Sequence, residues 1–188
     1  MDDYQARLNA KLAPEGLKQT LVRAGCFLSA YELIKLHVID GVRSEYWRDL
    51  RDAKNVYDEA RYQQEVLALD PASKFRASAA WLMQAGALTV EQAALLGAVR
   101  DHRNEIAHEL PRMIIDPDVE VRTELLLSAA GCLRSIGIFW GRETVAINPQ
   151  WDGQEVADDD IWSGPSLMMS MLLEIAGLGP DDLAARPA

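Results

Sequence analysis

TVEQAALLGAVRDHRNEIAHELP, residues 89–111, carries a helix start at one end and a helix breaker at the other. Thr89, Val90, Glu91 and Gln92 form a capping box, in which the Thr89 hydroxyl accepts from the Gln92 amide and the Gln92 side chain returns to the Thr89 amide. From Val90 the apolar positions Ala94, Leu95, Val99 and Ile106 recur at helical intervals. Pro111 has no amide hydrogen and its ring clashes with the preceding turn, so the helix is expected to end around Glu109 to Leu110, with His108 partly exposed in the last turn.

The same period extends to both sides. Upstream, Pro14-Glu15 opens a pattern through Leu17, Leu21, Phe27 or Leu28, Tyr31, Ile34 and Val38 that Asp40-Gly41 should close, a helix of about 25 residues. Residues 42–54 lack sustained periodicity and predict a turn plus a short helix, followed by a second helical pattern over Asn55 to Leu69. Asp70-Pro71 predicts a further start, with Phe75, Ala79, Leu82 and Met83 running to a stop at Gly86. Downstream, Asp116-Pro117 repeats that start signal ahead of Val119, Leu126, Ala130, Leu133 and Ile136 to Gly137. Residues 140–162 hold Gly, Pro and acidic side chains and predict an irregular excursion, with strand signals at most over Glu143 to Ile147. Ser163, Gly164 and Pro165 open a last helix, Ser166 to Ala176, apolar around most of its circumference and therefore expected to be buried, against the bundle or a second subunit.

With no βαβ alternation, glycine-rich phosphate loop or internal repeat, the reading is an all-α, up-and-down helical bundle. It divides into a bundle at 1–139 and an irregular acidic segment plus C-terminal helix at 140–188. The 188 residues, 49% hydrophobic and 26% charged, suffice for a core without disulfides or a structural metal. Cys26 and Cys132 each sit in an apolar helical pattern and read as buried free thiols. The polar, acidic opening MDDYQARLNAK and the shortness of the apolar stretch Leu167 to Leu178 point to a cytoplasmic chain without a membrane anchor.

The net charge of −10 is uneven: residues 1–99 carry 12 basic and 13 acidic groups, 100–112 three of each, and 113–188 four and 13. An acidic second half disfavours a broad nucleic-acid-binding face, because neutralising phosphates needs clustered Lys and Arg. It leaves room for a small local pocket. Five tryptophans, Trp47, Trp81, Trp140, Trp151 and Trp162, are spread along the chain and read as packing residues, and Asp158, Asp159 and Asp160 read as a solvated run or a helix-start charge.

Of three histidines, His37 lies between Leu36 and Val38 and reads as a core or interface residue. His102 and His108 share one segment but stand six apart, on different sides of a helix, so a zinc site is not expected. Arg100, Asn104 and His108 form one i, i+4, i+8 stripe, while Arg103 lies about 140° from His108 around the axis. The two converge on one phosphate only if the helix distorts before Pro111, if the Arg103 side chain wraps, or if a symmetry-related helix supplies a second set. A neutral-titrating imidazole and a bidentate cation are what phosphodiester cleavage without a metal asks for.

Arg103-Asn104-Glu105-Ile106-Ala107-His108 resembles the Arg-Asn-x-x-x-His form of the Arg-x4-6-His motif of the HEPN (higher eukaryotes and prokaryotes nucleotide-binding) superfamily. The two helices leading into it, and an opening helix bearing Glu32 and Lys35, are similar to HEPN bundles over roughly residues 15–137. The resemblance implies an all-α homodimer whose two motifs meet in a cleft and, in many members, metal-independent endoribonuclease activity in toxin-antitoxin or phage-defence settings, with an antitoxin or defence protein as partner. Carried across, His108 is general base or acid, Arg103 the phosphate clamp, Asn104 an orienting or RNA-contacting residue, and Arg100 and His102 flanking RNA contacts. No metal or cofactor is implied. Position 110 is Leu where nucleotidyltransferase-controlled HEPN toxins carry Tyr, so adenylylation there is not available. Three rival expectations stand: the ribonuclease; a catalytically silent HEPN dimerisation or binding module that holds a protein or nucleotide partner through the acidic 113–188 region; and a self-associating structural protein.

Overall fold

The computed structural model describes residues 3–152 and 154–179. Among the described residues are seven α-helices: α1 (Asp3–Leu12), α2 (Pro14–Ser44), α3 (Glu59–Glu65), α4 (Lys74–Gln84), α5 (Val90–Ile115), α6 (Thr123–Ile147) and α7 (Gly164–Ile175), with an antiparallel hairpin of β1 (Trp47–Arg51) and β2 (Lys54–Tyr57) between α2 and α3. Helix α2 is the axis of the bundle, packed against α4, α5, α6 and α7. Its inward stripe, including Phe27, Ala30, Ile34, Val38 and Val42, is wholly buried. Leu96, Val99 and Ile106 of α5, Leu126, Leu133 and Ile136 of α6, and Met169 and Leu173 of α7 close on it as one core. At roughly 1.5–3 kcal/mol per buried large apolar side chain, that shared core rather than local propensity holds the helices in place.

Several local start and stop signals are overridden by this packing. Helix α2 continues through Gly41 to Ser44 because Val42 is completely buried, and Gly41 lies where an added Cβ would sit 3.2 Å from the Trp140 indole nitrogen, so the glycine serves a close helix contact and not a stop. Helix α5 runs through Pro111 to Ile115. The missing Pro111 amide costs the Ala107 carbonyl its helical partner, roughly 3 kcal/mol in a typical interior, and complete burial of Met113 two residues further on offsets it. His108 is therefore well inside the helix, not in its last turn. Residues 42–54 hold no short helix. Asp52 and Ala53, at φ 49° and 57°, make a two-residue turn in the left-handed region, the geometry that joins twisted antiparallel strands.

The hairpin also takes the start of the expected Asn55 to Leu69 helix, of which α3 and a 3-10 turn at Leu67–Leu69 remain; α3 starts where the Asp58 carboxylate accepts from the Arg61 amide. Helix α4 begins at Lys74, capped by Ser73, three residues after Pro71; the Asp70 carboxylate instead takes the Ala72 amide and the Arg76 guanidinium. Helix α6 begins at Thr123 rather than after Asp116-Pro117, and it extends through Glu143 to Ile147 despite the strand signal there. The irregular part is thus shorter than expected, from Asn148 to Ser163, with 3-10 turns at Pro149–Trp151 and Asp158–Asp160. Helix α7 packs on α2 and α6 through Ser166, Met169 and Leu173. Its opposite side, Leu167, Met168, Met171 and Ile175, is half or more exposed, so the helix is not buried all round. Both cysteines are buried free thiols, and burial pushes the Cys132 thiol up to about 11, beyond easy ionisation. No helix among the described residues is long and apolar enough to cross a membrane.

Candidate functional site

Helix α5 turns one face, with Val99, His102, Ile106 and Met113, into the core and so turns Asn104 and His108 to solvent. One helical turn separates these two on a single stripe. Arg103 stands beside it, a third exposed, and is held from three directions. Its Nη2 donates to Glu32 Oε1 of α2 at 3.1 Å, its Nη1 donates to Asn104 Oδ1 at 3.3 Å, and its guanidinium carbon lies 5.5 Å from the centre of the Tyr31 ring. Glu32 also accepts from Lys35 Nζ at 3.0 Å, and the Lys35 and Arg103 cations together hold the Glu32 carboxyl below its usual pKa. The result is a fixed, charged fork on the bundle surface. Its Nε is buried without a partner, and the free hydrogens of both Nη groups remain. Arg103, Asn104 and Glu32 are brought into contact. His108 is placed on the same open surface, one turn along from Asn104. Arg100 turns to its neighbour, both Nε and Nη2 donating to Asp101 Oδ1, at 3.1 and 2.8 Å.

His102 is not a surface residue. It is 1% exposed, edge-on to Phe27 at 4.9 Å between ring centres, with no surface left to meet RNA. Its Nε2 accepts the Arg122 backbone amide at 2.9 Å, and its Nδ1 lies 2.7 Å from Glu105 Oε2. Since the backbone amide is a fixed donor, Nε2 must be bare and Nδ1 must carry the hydrogen, donated to Glu105. The Arg122 guanidinium, 3.2 Å from Nδ1, then finds its acceptor in Glu105, 3.5 Å from Nη2, and not in the ring. His102 is thus the long-range cap of α6: Arg122 is the N-cap residue and its own side chain caps nothing. A motif-helix histidine tying down the next helix leaves no local signature, which is why sequence placed it among the RNA contacts.

This arrangement sets a pH dependence. Burial holds the His102 imidazole below its ordinary pKa, with Glu105 pulling the other way, and protonation would turn Nε2 into a donor facing another donor. Burial depresses His37 in the same direction. The unfolded chain takes up these protons near pH 6.5 while the folded chain does not, so stability present in full above that pH is lost as the pH falls through it, by up to about 1.4 kcal/mol per unit for each histidine. Urea denaturation at pH 7.5 and 5.5 should show the midpoint falling, with the slope reduced in a His102→Gln variant. An unchanged midpoint across that window would contradict the buried neutral ring.

Sequence gave no sign of Tyr31 as the ring under Arg103. Trp151, Trp162 and Trp47 are not the packing residues that their spread along the chain suggests, being 38%, 63% and 51% exposed; Trp81 and Trp140 do pack, stacked at 6.2 Å. A concavity of about 300 Å³ between α1, α2 and the 117–121 loop is lined by Arg7, Lys11 and Arg23, but Arg7 is paired with Asp118 and Asp3 and the Lys11 ammonium binds the carbonyls of Asp116 and Val119. No group of three or more His, Cys, Asp or Glu side chains among the described residues is arranged to hold a metal ion. Searches of family models, curated proteins and solved structures return no match to this chain.

Proposed function

We propose that the chain is a homodimeric, metal-independent endoribonuclease of HEPN type, of the kind found in toxin-antitoxin or phage-defence systems. The observation that carries the reading is that α5 holds, on the two sides of its exposed surface, a solvent-facing His108 and a guanidinium whose direction is already fixed by Glu32, Asn104 and Tyr31. An anchored fork costs little reorganisation when charge develops on a phosphate, and an exposed imidazole is free to exchange protons.

Arg103 and His108 point about 140° apart on a continuous helix, so a single α5 offers one phosphate the clamp or the base but not both. A second copy packed about a two-fold axis along this face supplies the missing half. In the proposed reaction a His108 imidazole takes the proton of the ribose 2′-hydroxyl, and the 2′ oxygen attacks the adjacent phosphorus. The 5′ oxygen leaves with a proton from water, while Arg103 of the second copy and the side-chain amide of Asn104 hold the non-bridging oxygens. The products are a 2′,3′-cyclic phosphate and a 5′-hydroxyl end.

Incubation of purified protein with several single-stranded RNAs in EDTA, with product ends read by mass spectrometry, tests the proposal. Cyclic-phosphate ends are expected; intact RNA, or cleavage only on addition of Mg²⁺, would overturn it. The acidic second half favours the silent binding module instead, and an inert chain that still forms a stable dimer would move the assignment there.

A further inference from the structure

The acidic excess after residue 112 plays no part in RNA cleavage, and its densest portion has a shape of its own. Over the last turns of α6 and the stretch that leads to α7, residues 141–163 carry Glu143, Asp152, Glu155, Asp158, Asp159 and Asp160 against the single cation Arg142, which is already paired with Asp158 at 2.7 Å. Residues 158–162 fold back over α6 and are fixed there. Arg134 of α6 donates to the carbonyls of Ile161 and Asp158, and its guanidinium lies 5.1 Å from the centre of the Trp162 ring. Ile161 is buried against Gly141, where an added Cβ would meet the Ile161 side chain.

Under the fold-back lies a cavity of about 580 Å³ walled by Trp151, Trp162, Val145 and Val156, with Glu155 and Asp160 among its lining residues. A second cavity of about 410 Å³ shares Val145, Trp151 and Gln154 with it and continues past Ile147 and Asp152. The two adjoin at the three shared residues and together make one groove. Trp162 and Ile147 are 63% and 80% exposed, and among the described residues the Glu155 and Asp160 carboxylates form no salt bridge.

We propose that this groove binds an extended segment of a partner protein in which arginine or lysine alternates with aliphatic residues. The Trp151 ring and the face of Trp162 turned away from Arg134, beside unpaired carboxylates, favour an organic cation, since both the ring faces and the negative charges attract it. The apolar walls require hydrocarbon beside each charge, which Lys and Arg stems and aliphatic neighbours supply. Two adjoining cavities that hold three carboxylates, Glu155 and Asp160 in one and Asp152 in the other, match a chain of several cations better than a compact small molecule, which would fill one cavity and leave the other unused. The site lies at the end of α6 and draws on none of Arg103, Asn104 or His108, so it stands independently of the ribonuclease proposal.

The test is an NMR titration of the full chain, following the five indole N–H signals, with an acetylated and amidated Leu-Arg-Leu-Lys-Leu-Arg peptide and its counterpart bearing Glu at each charged position. The basic peptide should shift the Trp151 and Trp162 signals at submillimolar concentration and leave Trp47 in place, with affinity falling as salt rises. The double variant Glu155→Gln with Asp160→Asn should bind at least about tenfold more weakly while its unbound spectrum keeps native dispersion. No shift at millimolar basic peptide, an equal response to the acidic peptide, or full binding by the double variant would overturn the proposal. Equal shifts from free arginine amide would mean that a small cation suffices and would overturn the commitment to an extended segment.

Discussion

His108→Ala should cut RNA about 10²- to 10⁴-fold more slowly than the native chain in EDTA, the usual worth of a positioned general acid or base. His108 is exposed and makes no core contact, so the variant should unfold at the native urea midpoint to within about 0.5 kcal/mol. Arg103→Ala should fall by a comparable factor through loss of the clamp. Arg103→Lys is the sharper variant: an ammonium keeps the charge, but it cannot reach Glu32, Asn104 and a phosphate together as the planar fork does, so most of the loss should persist. Single-turnover rates on one RNA give these ratios directly. Native rates in either alanine variant would place the chemistry elsewhere.

His102→Ala should behave in the opposite way. Removing the ring leaves a cavity against Phe27 and strands the Arg122 amide at the start of α6, together about 2–5 kcal/mol. Denaturation should show that loss, while cleavage per folded molecule stays near native. A stable but inactive His102→Ala protein would reinstate the residue as a direct RNA contact.

The contrast between these two histidines marks how far the sequence can be read. Local chemistry was legible: the Thr89–Gln92 capping box, the apolar stripes of α2 and α6, and the stop at Gly86, whose φ of 80° suits a residue without a side chain. The all-α core follows from those stripes. What was lost had non-local causes. Pro111 looks like a terminator until the burial of Met113 beyond it is known, and Gly41 looks like a stop until Trp140 is seen against it. The hairpin escaped because its turn uses Asp52 and Ala53 where glycine or asparagine would have announced it, and because β1 is exposed along its whole length and shows no alternation of burial. At the candidate site, spacing alone put Asn104 and His108 on one stripe, and the structure turns that stripe outward. The partners that fix Arg103, Glu32 and Tyr31, come from a helix some 70 residues earlier, a distance no local pattern spans. His102 shows the same limit from inside the core, since its partner amide at Arg122 belongs to the next helix.

The central claim is that one α5 holds only half of a cleavage site and that two copies complete it. Light scattering of the chain at the concentration used in the cleavage assay measures this most directly. The account predicts twice the mass of the single chain, with cleavage lost in step with the dimer on dilution; a single-chain mass with undiminished cleavage would contradict it.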